Sequence, residues 1–180
     1  MGHNWCKIFC RRVNLLEICD KMNVKTFQNA KGEISKTNIK KIIPYKEPFL
    51  FLDKVTHIST KSAKGILQIK EPDYLKGHFV GFPIVPGAIL LEGFGQLATL
   101  LIRARKSYGK EWLVLLTDVT QTKFLRPVFA NSTVCFEVKL EKITKQKFFV
   151  SGLVKDDMTG KEKIILSGAL VAIKKEDFRK

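Results

Sequence analysis

The chain has 180 residues, 45% of them hydrophobic, and its 32 lysines and arginines outweigh 17 aspartates and glutamates to give a formal net charge of +15. That length fits one domain able to bury a single core without disulfides or metals, and the charge points to acidic partners: nucleic acid, an anionic membrane surface or an acidic carrier protein. Cys6, Cys10, Cys19 and Cys135 match neither a disulfide framework nor a paired Cys-x-x-Cys zinc pattern, which implies free thiols in a reducing compartment and no metal site.

Residues 1–36 are basic and without strong periodicity, and read as a flexible extension ahead of a single domain spanning 37–180. Lys7, Arg11 and Arg12, interspersed with Ile8, Phe9, Val13, Leu15 and Leu16, resemble an organelle transit peptide, although the serine-rich character is missing. Met1-Gly2 opens a myristoylation pattern, but Cys6 stands where Ser or Thr is needed, and Met22 is a second candidate start. Lys31-Gly32-Glu33 and Ser35 look like linker. Thr37 or Asn38 is placed to cap a short helix toward Ile43, which Pro44 ends.

Alternation then predicts strands over Phe49–Ser59 and Lys64–Lys70, with Thr60–Ala63 as the turn and Glu71-Pro72-Asp73 as the end of the pair. Asp53 and His57 lie two pleats apart on one strand face, which suits surface roles rather than a catalytic pair. From Gly77 to Gly87 three glycines and two prolines exclude regular helix or a central strand, so the stretch is a tightly wound loop. His78 sits near its start and Pro86-Gly87 closes it.

Ala88–Ile102 is apolar on all sides, the pattern of a helix enclosed by other structure. Its exceptions, Glu92, Gln96, Thr99 and Arg103, fall at i, i+4, i+7 and i+11 and form one stripe. A carboxyl in that setting must be bonded or neutral. A membrane span needs about 20 apolar residues, and Glu92 and Gln96 interrupt this run, so a span is rejected. Gly93 and Gly95 each cost about 1 kcal/mol relative to alanine; the offset is close packing on a sheet or room for a substrate chain. After a basic exit over 103–110 come strands over Trp112–Thr117, Gln121–Leu125, Thr133–Lys142, Lys147–Lys155 and Lys163–Ile173, with Asp156–Gly160 as the last turn. Two strands, a helix and a meander make an α+β layout with one helix on the concave face of an antiparallel sheet.

Gly77-His78-Phe79, Gly81, Pro83, Pro86-Gly87, Leu91-Glu92 and Gln96 resemble the active-site signature of the beta-hydroxyacyl-[acyl carrier protein] dehydratases of the FabZ and FabA type. The resemblance extends through Pro44–Val55 and Thr122–Val128, covering about 39–173. It implies the hotdog fold, a curved antiparallel sheet wrapped around one long helix. It further implies that His78 is the base and Glu92 the acid in removing water from a hydroxyacyl thioester, that the Gly87 N–H meets the thioester carbonyl, and that Gln96 orients Glu92. Desolvation should raise the Glu92 pKa more than the helix N-terminus, five residues away, lowers it. The chain departs from the family at Val80, usually Pro, at Tyr45, often His, and at Gly93-Phe94-Gly95, usually Ala-Met-Ala.

The expected partners are an acyl carrier protein and a second copy of the chain, in a homodimer that assembles further or not, with sites shared between the two copies. No resident cofactor is expected, because the substrate rides on the carrier's phosphopantetheine. Nucleic acid ranks last, since the lysines are dispersed and no aromatic-basic motif accompanies them. The expected location is the cytoplasm, or an organelle matrix if the N-terminus targets. Two other readings stay open: a non-catalytic hotdog protein that binds acyl thioesters, and a hotdog thioesterase.

Overall fold

A computed structural model describes residues 23–70, 73–105, 108 and 111–179. Among them, seven strands form one antiparallel sheet: β1 (Ile34–Ser35), β2 (Lys54–Ile58), β3 (Ser62–Gln68), β4 (Trp112–Phe124), β5 (Thr133–Thr144), β6 (Lys147–Asp156) and β7 (Glu162–Lys174). Three helices accompany them: α1 (Lys36–Ile42), the short α2 (Asp73–Lys76) and the long α3 (Gly87–Arg105). The spatial order β1-β2-β3-β5-β6-β7-β4 leaves β4 at one edge.

The core follows from two periodicities meeting. Val134, Phe136, Val138 and Leu140 of β5 recur every second residue and are all buried, while Glu137 and Lys139 between them face out. Against that face lies α3, whose Phe94, Leu97, Ala98, Leu100, Leu101 and Ile102 are almost wholly enclosed. Each large side chain so buried contributes about 1.5–3 kcal/mol. The all-round apolar run is thus the core helix; it has the length and hydropathy of a membrane span, but 67% of that window is buried inside the protein.

Four expectations change. The extension expected over 1–36 cannot reach Lys36, because Ile34 is fully buried and pairs with Val55, Val24 is in the core, and Ser35 pairs with Lys54. Residues 1–22, with the targeting and start-site readings, lie outside the described residues. The cap of α1 is Ser35, whose Oγ accepts the Asn38 N–H at 3.4 Å, rather than Thr37 or Asn38. Asn38 is committed elsewhere, its Nδ2 donating to Phe27 O at 2.9 Å.

The strand expected from Phe49 forms only from Lys54, since Gln96 takes the backbone bonds of Phe49 and Phe51. The two strands expected over 112–125 are one, with register shifts at Leu116/Asp118 and Val119/Gln121. The stretch between them carries a pair of bulges, and β4 lies beside β7 rather than beginning a meander. Asp53 is a structural staple: its carboxylate accepts Lys36 Nζ at 2.7 Å and the Gln68 N–H at 2.8 Å. His57 remains on the surface, beside Ser62 Oγ.

The two helix glycines separate. A Cβ on Gly93 would stand 2.6 Å from Phe136 Cζ, so Gly93 lets the helix lie on β5, whereas a Cβ on Gly95 would meet nothing within 4 Å. Gly93→Ala should therefore destabilise by about 1–2 kcal/mol, overpacking of about 1–3 kcal/mol exceeding the helix gain. Gly95→Ala should be neutral or stabilise by up to about 1 kcal/mol. Urea unfolding of both variants checks the contrast; equal shifts would contradict it.

Candidate active site

The loop after α2 is closed by its own backbone. His78 N–H donates to Leu75 O at 3.1 Å, Phe82 N–H to Phe79 O at 2.9 Å and Ile84 N–H to His78 O at 2.8 Å. Gly81, with φ of 76°, supplies the left-handed residue inside that turn. Val85 N–H then donates to Val128 O at 2.8 Å, and Ile84 bridges to Phe129, pinning the loop to the segment after β4. The result holds His78 half-buried with Nδ1 2.8 Å from Ile84 O. A carbonyl oxygen only accepts, so Nδ1 carries the hydrogen, and in neutral imidazole Nε2 is the acceptor.

Pro86-Gly87 turns this loop into α3. Gly87 is the first helical residue, so its N–H belongs to the turn that lacks intrahelical acceptors. A side chain is excluded there: a Cβ would lie 2.8 Å from Phe124 Cζ, with other ring atoms nearer or close behind.

Glu92, in the second turn, is half-buried rather than enclosed. Gln96 lies one turn on, is fully buried, and uses its whole amide. Phe51 N–H donates to Gln96 Oε1 at 2.9 Å, while Gln96 Nε2 donates to Phe49 O at 2.9 Å and to Glu92 Oε1 at 3.0 Å. The Phe51 N–H can only donate, which fixes the amide orientation and makes Nε2 the donor to Glu92. Glu92 Oε1 is therefore an acceptor, and a proton on this carboxyl sits on Oε2. Tyr45 stands close by: burial raises its phenol pKa, the Glu92 charge pushes it the same way, and Arg103 opposes both.

The stripe read from the sequence is real, but its far end is structural. Thr99 and Arg103 are buried, and the Arg103 guanidinium donates to Tyr108 O at 3.1 Å and Trp112 O at 2.6 Å, tying the helix exit to the start of β4. Burial lowers the Arg103 pKa against the opposing pull of Glu111.

His78 and Glu92 are not joined within the chain. The His78 ring meets Ile84 O and the Phe79 ring, the carboxyl meets Gln96, and no hydrogen bond links the two among the described residues. Uncovered apolar surface lies on the loop at Phe79, Val80 and Phe82, at Phe129 against Phe82, and on the edge strand at Leu116, Val119 and Phe124. Sequence reasoning missed the tie from Gln96 to Phe49 and Phe51 and the contact of Phe124 with Gly87. The available signals were a buried glutamine facing a run read as strand, and an aromatic residue at the end of a strand. Among the described residues no group of three His, Cys, Asp or Glu side chains is placed to hold a metal.

A family model described as FabA-like domain matches residues 43–168. The 3-hydroxyacyl-[acyl-carrier-protein] dehydratase FabZ of Solibacter usitatus is 32% identical over 106 residues, 58% of this chain and 65% of that protein's length. The protein of the same name from Rhizobium rhizogenes is 34% identical over 121 residues, covering 64% of this chain and 76% of that one. That of Clostridium botulinum is 28% identical over 137 residues, covering 75% and 92%. Among solved structures, the dehydratase heterocomplex ApeI:P of Xenorhabdus doucetiae superposes with a TM-score of 0.66 at 13% identity, over 78% of this chain and 94% of that one. The E. coli PaaI protein gives 0.54 at 14%, over 65% and 80%. At these identities the structures show the fold alone.

Gln96→Leu should lose at least about 1 kcal/mol of stability, because it strands the buried Phe51 N–H at about 1–3 kcal/mol and removes the part-buried bond to Phe49 O. Denaturant unfolding measures it. A loss below about 0.5 kcal/mol would mean that the 49–51 segment finds other partners.

Proposed function

Because the chain belongs to the FabA-like family of hotdog proteins, we propose that it is a 3-hydroxyacyl-[acyl-carrier-protein] dehydratase, forming trans-2-enoyl thioesters in fatty acid synthesis. The observation that carries this reading is how two side chains are held: His78 with Nε2 as acceptor, and Glu92 with Oε1 taken up by the Gln96 amide, which leaves Oε2 as the oxygen to handle a proton. Elimination needs one of each. Nε2 of His78 takes the proton from C2 while Oε2 of Glu92 gives its proton to the departing 3-hydroxyl. The C3–O bond breaks, the C2–C3 double bond forms, and water leaves. The Gly87 N–H, at the positive end of α3, holds the charge growing on the thioester oxygen. A proton then passes from His78 back to Glu92 through solvent, resetting both groups. No resident cofactor enters these steps.

The partner is an acyl carrier protein, which presents the substrate on phosphopantetheine. Exposed Lys123 and Arg126 flank Phe124 in sequence and suit an acidic carrier. The +15 charge supports the same reading. Arg103, in the basic exit of α3, is excluded from this role by its burial, and Lys106 lies outside the described residues. The cytoplasm is the proposed location.

The wild-type protein should hydrate enoyl-carrier thioesters, seen as loss of enoyl absorbance. General acid–base catalysis contributes about 10²–10⁴-fold, so His78→Ala and Glu92→Ala should each lower kcat/KM by at least about a hundredfold with unchanged melting. Hydrolysis to free acid without hydration would point to a thioesterase. Binding without turnover would point to the non-catalytic reading.

The active unit is a homodimer with shared sites, His78 of one copy facing Glu92 of the other. Three observations support it: the two groups do not meet within one chain, β4 is an edge strand, and the apolar surface on that strand and on the His78 loop is uncovered. Co-refolding the His78→Ala and Glu92→Ala chains should restore part of the activity, because one site of the mixed dimer is intact. No recovery in proven mixed dimers would overturn the shared site.

A further inference from the structure

Thr122 carries a hydroxyl that the elimination does not use. Its Oγ1 is buried and has no hydrogen-bond partner among the described residues. The other two threonines in the same part of β4 are provided for: Thr117 Oγ1 contacts Asp118 and Ala169 O, and Thr120 Oγ1 lies 3.0 Å from Ser167 Oγ. A buried hydroxyl left unpaired costs about 1–3 kcal/mol. Valine has the same branched shape and the same liking for strands, without that cost. The hydroxyl therefore has a partner that the single chain does not contain.

Its place in the sheet says which. Thr122 pairs with Leu166 and Phe124 with Ile164, and both of those partners are buried in the core. Directly paired residues share a face, so Thr122 and Phe124 both stand on the helix side, about 7 Å apart along the strand. The Phe124 ring lies on Gly87, whose N–H holds the thioester oxygen in the proposed reaction. The next helix-side residue back along the strand, Val119, is apolar and uncovered. One buried, unpartnered hydroxyl thus lies on the helix side of β4, next along that face from the ring that covers Gly87.

Resting on the dehydratase reading, we infer that Thr122 is a specificity-determining residue whose Oγ1 hydrogen-bonds the 3-hydroxyl of the bound acyl group. A threonine hydroxyl both donates and accepts, as does the substrate's hydroxyl, whereas the thioester oxygen is answered by the Gly87 N–H. The Phe124 ring, 58% exposed, turns aside as the acyl group enters and uncovers Gly87 and Thr122 together. A site with a buried polar group awaiting a hydroxyl rejects the acyl thioester that lacks it.

The experiment is performed on the His78→Ala chain, so that ligand is not consumed, and compares binding of 3-hydroxybutanoyl- and butanoyl-pantetheine by calorimetry. The expected result is about a tenfold preference for the hydroxyl compound, equivalent to about 1.4 kcal/mol. Adding Thr122→Val or Thr122→Ala abolishes the preference and Thr122→Ser keeps it. The Thr122→Val protein melts no lower than its parent, because it loses only an unpaired hydroxyl. Absence of a preference, or one that survives both Thr122→Val and Thr122→Ala, overturns the inference. Turnover of the His78-intact chain reports separately on the dehydratase reading. Turnover without a Thr122 effect defeats the inference alone, and a Thr122-dependent preference without turnover defeats that reading alone.

Discussion

The side-chain amide of Gln96 lies where the helix, the 49–51 segment and Glu92 meet, and it bonds to both the segment and Glu92. Leu50–Leu52 runs buried beside α3 without a strand partner, an arrangement that would ordinarily leave orphan backbone groups. Gln96 supplies the missing acceptor for Phe51 N–H and the missing donor for Phe49 O, then turns its second N–H to Glu92. The segment that starts β2 and the carboxyl on the helix are therefore positioned by the same group. Because a buried amide cannot exchange these partners for water, the orientation of Glu92 is as fixed as the core itself.

The helix that carries Gln96 is held at two distances from its surroundings. At Gly93 it comes so close to β5 that Phe136 fills the space of a side chain. At Gly87 the Phe124 ring does the same at the helix mouth. In both places a glycine exchanges helix propensity for contact, but with different neighbours. Phe136 is buried and immovable without core disruption, whereas Phe124 is largely exposed and able to turn. The first contact fixes the helix and the second covers its first residue.

Much of this was legible in the sequence, because burial leaves a periodic trace. The enclosed helix, its polar stripe, the strand alternation and the loop ending in Pro86-Gly87 all follow from which residues tolerate which surroundings. What escaped was decided by partners distant in the chain. Ile34 looked like linker because a two-residue strand has no periodicity of its own, and only pairing with Lys54 and Val55 makes it core. Phe49–Asp53 alternated like a strand, yet a side chain 45 residues away captured its hydrogen bonds. Arg103 stood on the polar stripe, but its partners, the carbonyls of Tyr108 and Trp112, lie beyond the helix. One strand read as two around Asp118–Thr120 because bulges interrupt its alternation there.

The uncovered surface completes the account of the edge. A strand at the margin of a sheet is normally short, charged or twisted away from further pairing. Strand β4 has 13 residues, and Leu116, Val119 and Phe124 leave apolar area open on it. Its bulges interrupt the register with β7 at the same two places, Leu116/Asp118 and Val119/Gln121, where the open residues cluster. The loop that bears His78 adds Phe79, Val80 and Phe82 to this area. Leaving so much apolar surface in water costs about 25 cal/mol per Å², and the single chain shows no return for it. The return arises if a second copy covers the surface, since the same contact would bring a His78 to a Glu92 that its own chain keeps apart.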